Sequence, residues 1–249
     1  MILLTLLVWL AGERAVKRPF PGFALGVGAL LGLCFLTRID AVFFIAAVTA
    51  WHTLLGFRQQ FAEFKRRLGE SLVMGLTSMV LAGPWLAYNK LVFGSFMPIS
   101  GTAQSTGRFG ANLAHVPGNL FDYATLVLPV PKAILTSPAA VAMSALAILL
   151  YAAITASMAR HMTRQQFSVL MIGTLFLLGL AGYYGLFFGA PHFMGRYLSP
   201  VSPLLAILTV AIGMVAIHQW GPKLALIRWS SAMIPIIIVG LVLGLNTRT

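Results

Sequence analysis

Charge is what this sequence has least of. Only 9% of its 249 residues are Asp, Glu, Lys or Arg, and 5 of them are acidic. A soluble domain carries roughly 25% charged residues, so this chain cannot cover a water-facing surface. Cysteine is nearly missing as well: Cys34 stands alone inside an apolar segment, which excludes an internal disulfide framework and a cysteine-ligated metal site. It reads as a small core- or lipid-facing residue. There is no G-x-S-x-G turn, no glycine-rich phosphate loop with its lysine, and no His/Asp/Glu cluster at metal-ligand spacing. No cofactor is therefore expected from motifs, and a divalent metal is left open.

What is present instead is apolar sequence, 59% of the chain, with a mean hydropathy of +0.91. Apolar segments fall at 21–36, 41–57, 71–93, 135–158, 167–189, 201–219 and 229–246. Only helices and closed barrels satisfy their backbone groups in lipid, and runs this long without strict alternation predict helices. The expected fold is all-α, a polytopic transmembrane helix bundle of about seven spans with an N-terminal partial span. Residues 1–249 are expected to form a single transmembrane domain with one long outer loop at about 94–132, and the chain to sit in the cell (inner) membrane.

The net charge of +12 would suit a nucleic-acid surface, but the basic residues fall between spans rather than along one stripe. No nucleic-acid partner is expected. Placing Arg14, Lys17, Arg18, Arg58, Lys65, Arg66, Arg67, Arg160, Arg164, Lys223 and Arg228 in the cytoplasm gives a self-consistent alternation of spans. In that arrangement "RQQFAEFKRRLGE" is a cytoplasmic amphipathic turn of helix with a solvated, headgroup-facing charged surface. His52 and His218 near the same boundary are given no role.

Arg38 and Asp40 interrupt the run "GLCFLTRIDAVFF". A helix over 19–57 would be about 58 Å long, nearly twice the roughly 30 Å hydrocarbon core. The chain must fold back, and the charges mark the turn, on the non-cytoplasmic face. Each leg is then about 16–18 residues, with glycines at 22, 26, 28 and 32 allowing close helix contact. Arg38 and Asp40 either close this turn as an ion pair, or act as holders of an anion and a hydroxyl. The opening "MILLTLLVWLAG" is too short to span and lacks the basic region and cleavage site of a signal peptide. It is expected to be the tail of a span whose upstream part is missing.

Other polar residues on the outer face lie in the long loop and in "APHFMGRYLSP". Ser199 and Pro200 form a helix start, cap followed by first position. Its outward-facing N-terminus beside Arg196 and Tyr197 suits a phosphate, and equally an interfacial anchor.

Three stretches, in order, make the chain resemble the membrane portion of GT-C-type glycosyltransferases, the group containing the dolichyl-phosphate-mannose protein mannosyltransferases and their bacterial relatives. "GLCFLTRIDAVFF" resembles an "LTRPD" turn, "GPWLAYNKLVFGSFMPISGTAQS" resembles "PWxxYNxxxFGSPLPxSG", and "GRYLSPVSPLLAIL" resembles "RYLLPLLP". The resemblance implies sugar transfer from a polyprenyl-phosphate carrier to an acceptor glycan, lipid or protein at the outer face, within the membrane lipid. Arg38 and Asp40 would line the cavity. Tyr88, Asn89, Ser100 and Gly101 would shape its loop, while Arg196 and Tyr197 would hold the phosphate. Ile39 departs from the usual proline, and the family's catalytic acid belongs to a first outer loop that has no counterpart here. The chain is expected to be inactive by itself unless that part is supplied or Asp40 serves as the catalytic base. The rival readings are a multi-pass transporter or lipid flippase, for which an internal repeat would be the sign, and a non-catalytic membrane scaffold.

Overall fold

The computed structural model describes residues 1–15, 21–57, 59–96 and 159–184, with short pieces at 112, 149, 152–153, 156–157, 199–201 and 203–204. The chain divides into two compact units, Met1–Ser105 with Met171–Gly179, and Thr106–Leu170 with Leu180–Thr249. The described regular elements are all helical: α1 (Ile2–Arg14), α2 (Gly22–Thr37), α3 (Ala41–Phe57), α4 (Phe61–Phe93) and α5 (Arg164–Gly182), with a 3₁₀ turn at Ser199–Val201.

Two of these helices, α4 and α5, are long and apolar enough to cross a membrane, and α2 and α3 are shorter apolar helices. The other expected spans, at 135–158, 201–219 and 229–246, fall largely or wholly outside the described residues, as do Arg196, Tyr197, Ser100 and Gly101. Ser199–Val201 forms its turn where Ser199 and Pro200 predict a helix to begin.

The fold-back is where its charges predict it. Helices of 16 and 17 residues flank Arg38–Asp40. Local chemistry explains the stop: the Thr37 hydroxyl and the Arg38 amide both donate to the Cys34 carbonyl, and Arg38 turns to an extended conformation that ends the helix. A capping box starts α5, with the Gln166 amide donating to the Thr163 hydroxyl and Thr163 N–H to the Gln166 side chain. At the far end of α4, Gly94 takes φ 72°, the left-handed C-cap that favours glycine. Pro84 lies within α4 without ending it.

Within the first unit the contacts fix the directions of α1–α4. Gly12 approaches Phe23 and Thr5 Oγ1 lies 3.5 Å from Cys34 Sγ, so α1 runs antiparallel to α2. Against α4, Gly28 meets Met74 and Thr77, Gly32 meets Ser78 and Leu81, and Phe35 meets Trp85 edge-on at 6.2 Å. Both numbers rise together, so α2 and α4 run parallel. A Cβ on Gly28 would stand 2.7 Å from the Met74 carbonyl oxygen, which is why this seam needs glycine at its closest point. Gly26, by contrast, has nothing within 4 Å. Helix α3 returns antiparallel, tied to α4 by Thr53 Oγ1 donating to Ser71 Oγ (2.9 Å) and Ser71 Oγ donating to the Thr49 carbonyl (3.0 Å).

Trp9, Val27, Leu31, Phe44, Val48, Met74 and Phe176 have no solvent exposure and form the apolar core of this unit. Phe176, on the part of α5 that belongs to the unit, packs at 5.4 Å on Phe44. The opposite side of α4 exposes Leu72, Leu76, Met79, Val80 and Leu91. The unit thus has two ends. One gathers the last turn of α1, the start of α2, the end of α3 and the start of α4, and is called here the glutamate end. The other, the turn end, holds Arg38–Asp40 and the last turns of α4.

Candidate functional site

At the turn end, Arg38 donates from Nε to Asp40 Oδ1 (3.1 Å) and from its terminal nitrogen to Oδ2 (2.6 Å). The pair closes the turn in a two-point clasp, the first of the two roles open to these residues. Asp40 is buried while the Arg38 side chain is 42% exposed. Both Asp40 oxygens accept from Arg38, and each keeps a further lone pair.

The parallel register of α2 on α4, with Phe35 beside Trp85, carries the turn to the level of Tyr88 and Asn89. Two stretches far apart in sequence therefore share one end of the unit. Tyr88 is exposed and meets Phe93 edge-on at 6.3 Å. Asn89 is 3% exposed, on the α2-facing stripe one turn beyond Trp85. Its Nδ2 is buried and has no hydrogen-bond partner among the described residues. Lys90 donates to the Gly94 carbonyl (2.8 Å) and lies 5.5 Å from the Phe96 ring centre. The other predicted site residues, Ser100, Gly101, Arg196 and Tyr197, lie outside the described residues.

The glutamate end corrects the sequence reading of "RQQFAEFKRRLGE". Its charges are split between surface and interior: Lys65 and Arg66 are exposed as expected, while Arg67 and Glu70 are only 5% and 1% exposed. Arg67 donates to Glu13 with both terminal nitrogens (3.1 Å each) and from Nε to Glu63 (2.8 Å). Arg66 bridges Glu63 (2.6 and 2.8 Å) and Glu70 (2.8 Å). His52, given no role from sequence, sits at the centre with no exposure. The Trp9 indole N–H reaches His52 Nδ1 at 3.2 Å, and His52 Nε2 lies 2.7 Å from Glu70. An indole can only donate, so Nδ1 is the acceptor and Nε2 carries the ring proton toward Glu70.

The physical reason lies in helix periodicity. Residues 63, 67, 70, 74 and 78 follow i, i+3/i+4 spacing, so the charged start of α4 continues the stripe that buries Met74 and Ser78. The neighbouring helices then supply acids and a histidine at that level. That spacing, with Glu13 and His52 near the ends of apolar runs, was the available sequence signal. The pairing itself spans 54 positions from Glu13 to Arg67 and is not local.

Residues 61–70 lie before the apolar segment of α4. There the hydrogen bond from Arg66 holds the Glu63 carboxyl down at about 2, against an ordinary 4.5, and Arg67 adds to the effect. The same contact with Glu63 raises the Arg66 guanidinium further above its usual range. With His52 sealed and both its ring nitrogens engaged, this cluster is a structural clasp joining α1, α3 and α4. Among the described residues no group of three His, Cys, Asp or Glu side chains is arranged to hold a metal.

No protein-family model, curated protein or solved structure matches this chain.

Proposed function

We propose that this chain is a multi-pass membrane glycosyltransferase, or the membrane part of one, working in the cell membrane. It moves a sugar from a polyprenyl-phosphate carrier to an acceptor at the outer face. One observation carries the reading: "TRID" and "WLAYN", far apart in sequence, come to the same end of the unit through the α2–α4 register. The exposed apolar side of α4 supports a lipid setting. Leu72, Leu76, Met79, Val80 and Leu91 together follow the helix for about 29 Å, close to the roughly 30 Å hydrocarbon core.

In the reaction, the acceptor oxygen bonds to the sugar's anomeric carbon as the bond from that carbon to the carrier phosphate breaks. The hydroxyl proton goes to a base, and cationic groups stabilise the departing phosphate. Arg196 with Tyr197 is assigned to the phosphate. Arg38 is assigned to orient Asp40 and line the cavity, with Ser100 and Gly101 shaping its loop.

The test is reconstitution of the purified chain in lipid nanodiscs with a polyprenyl-phosphate-linked sugar, scoring carrier binding and sugar transfer separately. Saturable binding that is lost in Arg196→Ala supports the reading. Transfer by the chain alone, abolished in Asp40→Asn, would make Asp40 the base. A chain that neither binds the carrier nor transfers from it is not this enzyme.

A further inference from the structure

A carboxamide in the interior of a helix bundle is costly when its N–H groups go unpaired. Buried polar groups are nearly always satisfied, so an orphan in an otherwise well-packed seam calls for a cause. Asn89 is such an orphan: 3% exposed, with Nδ2 buried and without a hydrogen-bond partner among the described residues. Its neighbours on the same stripe of α4 are satisfied or apolar. Ser78 donates to the Gly75 carbonyl, Ala82 is buried, and Trp85 packs on Phe35. A leucine at 89 would continue this seam without the penalty.

Nδ2 has only hydrogens to offer, so whatever satisfies it must present an acceptor. Asn89 stands at the level of the Arg38–Asp40 turn, where the guanidinium, although paired with Asp40, is 42% exposed and has N–H groups beyond those two bonds. Lys90, the next residue, brings a second cation to this end. Anionic oxygens form the stronger, charge-assisted hydrogen bonds.

We infer that Asn89 is a ligand-binding residue whose side-chain N–H groups donate to a phosphate oxygen held at the turn end. Attributing that phosphate to a lipid carrier rests on the transferase reading above; the donor role of Asn89 does not. In the ligand-bound state the orphan is satisfied, and the free state carries its cost.

The test uses the full chain in phosphatidylcholine nanodiscs, titrated separately with polyprenyl monophosphate and with inorganic phosphate, for wild type, Asn89→Leu and Asn89→Asp. Wild type is expected to bind at least one probe saturably. Asn89→Leu is expected to melt no lower than wild type yet to bind at least about tenfold more weakly. Asn89→Asp, which replaces donors by a like-charged acceptor, should bind more weakly still. Binding of inorganic phosphate identifies the phosphate alone as the recognised group, whereas binding of only the polyprenyl form assigns part of the recognition to the lipid; either supports the donor role. Unchanged affinity in Asn89→Leu overturns it and leaves a water molecule as the partner of Nδ2. Failure of wild type to bind either probe overturns it as well. If binding depends on Asn89 but no sugar is transferred, even when an acid-bearing partner segment is supplied, the donor role stands and the transferase reading falls.

Discussion

At the turn end, one arginine and one aspartate two positions apart meet across a tight turn, with the arginine still partly in solvent. At the glutamate end, all three glutamates of the chain join two arginines and a histidine drawn from three helices, and His52, Arg67 and Glu70 are sealed from solvent. The first arrangement needs only its own turn, and only its arginine is in contact with solvent, Asp40 being buried. The second exists only if α1, α3 and α4 are docked in one register. Buried ion pairs return little net stability compared with apolar packing, but they are severely punished when broken. The glutamate end therefore acts as a check on helix register, and the turn end is free of that constraint.

The sharpest way to break this comparison is Arg67→Met. It leaves Glu13 and Glu63 without their shared guanidinium, and unfolding in detergent micelles should lose about 3–5 kcal/mol. A loss under about 1 kcal/mol would mean that the cluster is hydrated and behaves like the turn end.

Next comes the seam that joins the two ends. Gly28→Leu drives a side chain into the Met74 backbone and should cost at least about 1–3 kcal/mol. Gly26→Ala, in open space, should leave the melting temperature unchanged or slightly raised. Equal effects of the two would show that α2 and α4 do not pack through this register.

Arg38→Gln should be milder, about 1 kcal/mol, because the arginine is partly exposed, the pair is local and Gln can still donate to the buried Asp40 carboxylate. A larger loss would show that the turn itself depends on the ion pair.

The smallest effect is the acid limb of stability. Glu63 titrates lower when folded than unfolded, so its contribution is complete above about 4.5 and disappears as pH falls through about 2. Melting temperatures from pH 5 down to pH 2 should fall less for Glu63→Gln than for wild type; parallel curves would place the acid sensitivity in other groups.

How much of this was legible follows from what each feature depends on. The length of an apolar run against the thickness of a bilayer, and two charges in its middle, are enough to predict a fold-back at Arg38–Asp40 with legs of 16 and 17 residues. The shortness of α1 was equally readable, whereas Cys34 could be read only as core- or lipid-facing, and the packing makes it buried. The charged start of α4 was misread because a run of Glu, Lys and Arg looks the same whether it faces water or three partners.

By itself the sequence determined the helical class and the place of the reversal, because helix length and chain reversal are local consequences of polarity; of the glycines expected at close contacts, Gly28 and Gly32 make them and Gly26 does not. Only the tertiary structure decided that Arg67, Glu70 and His52 are interior, that Trp9 sets the proton position on His52, and that Asn89 is buried with no partner for Nδ2 among the described residues. Burial is a property of neighbours, and these neighbours are brought together by a helix register that distant residues jointly set.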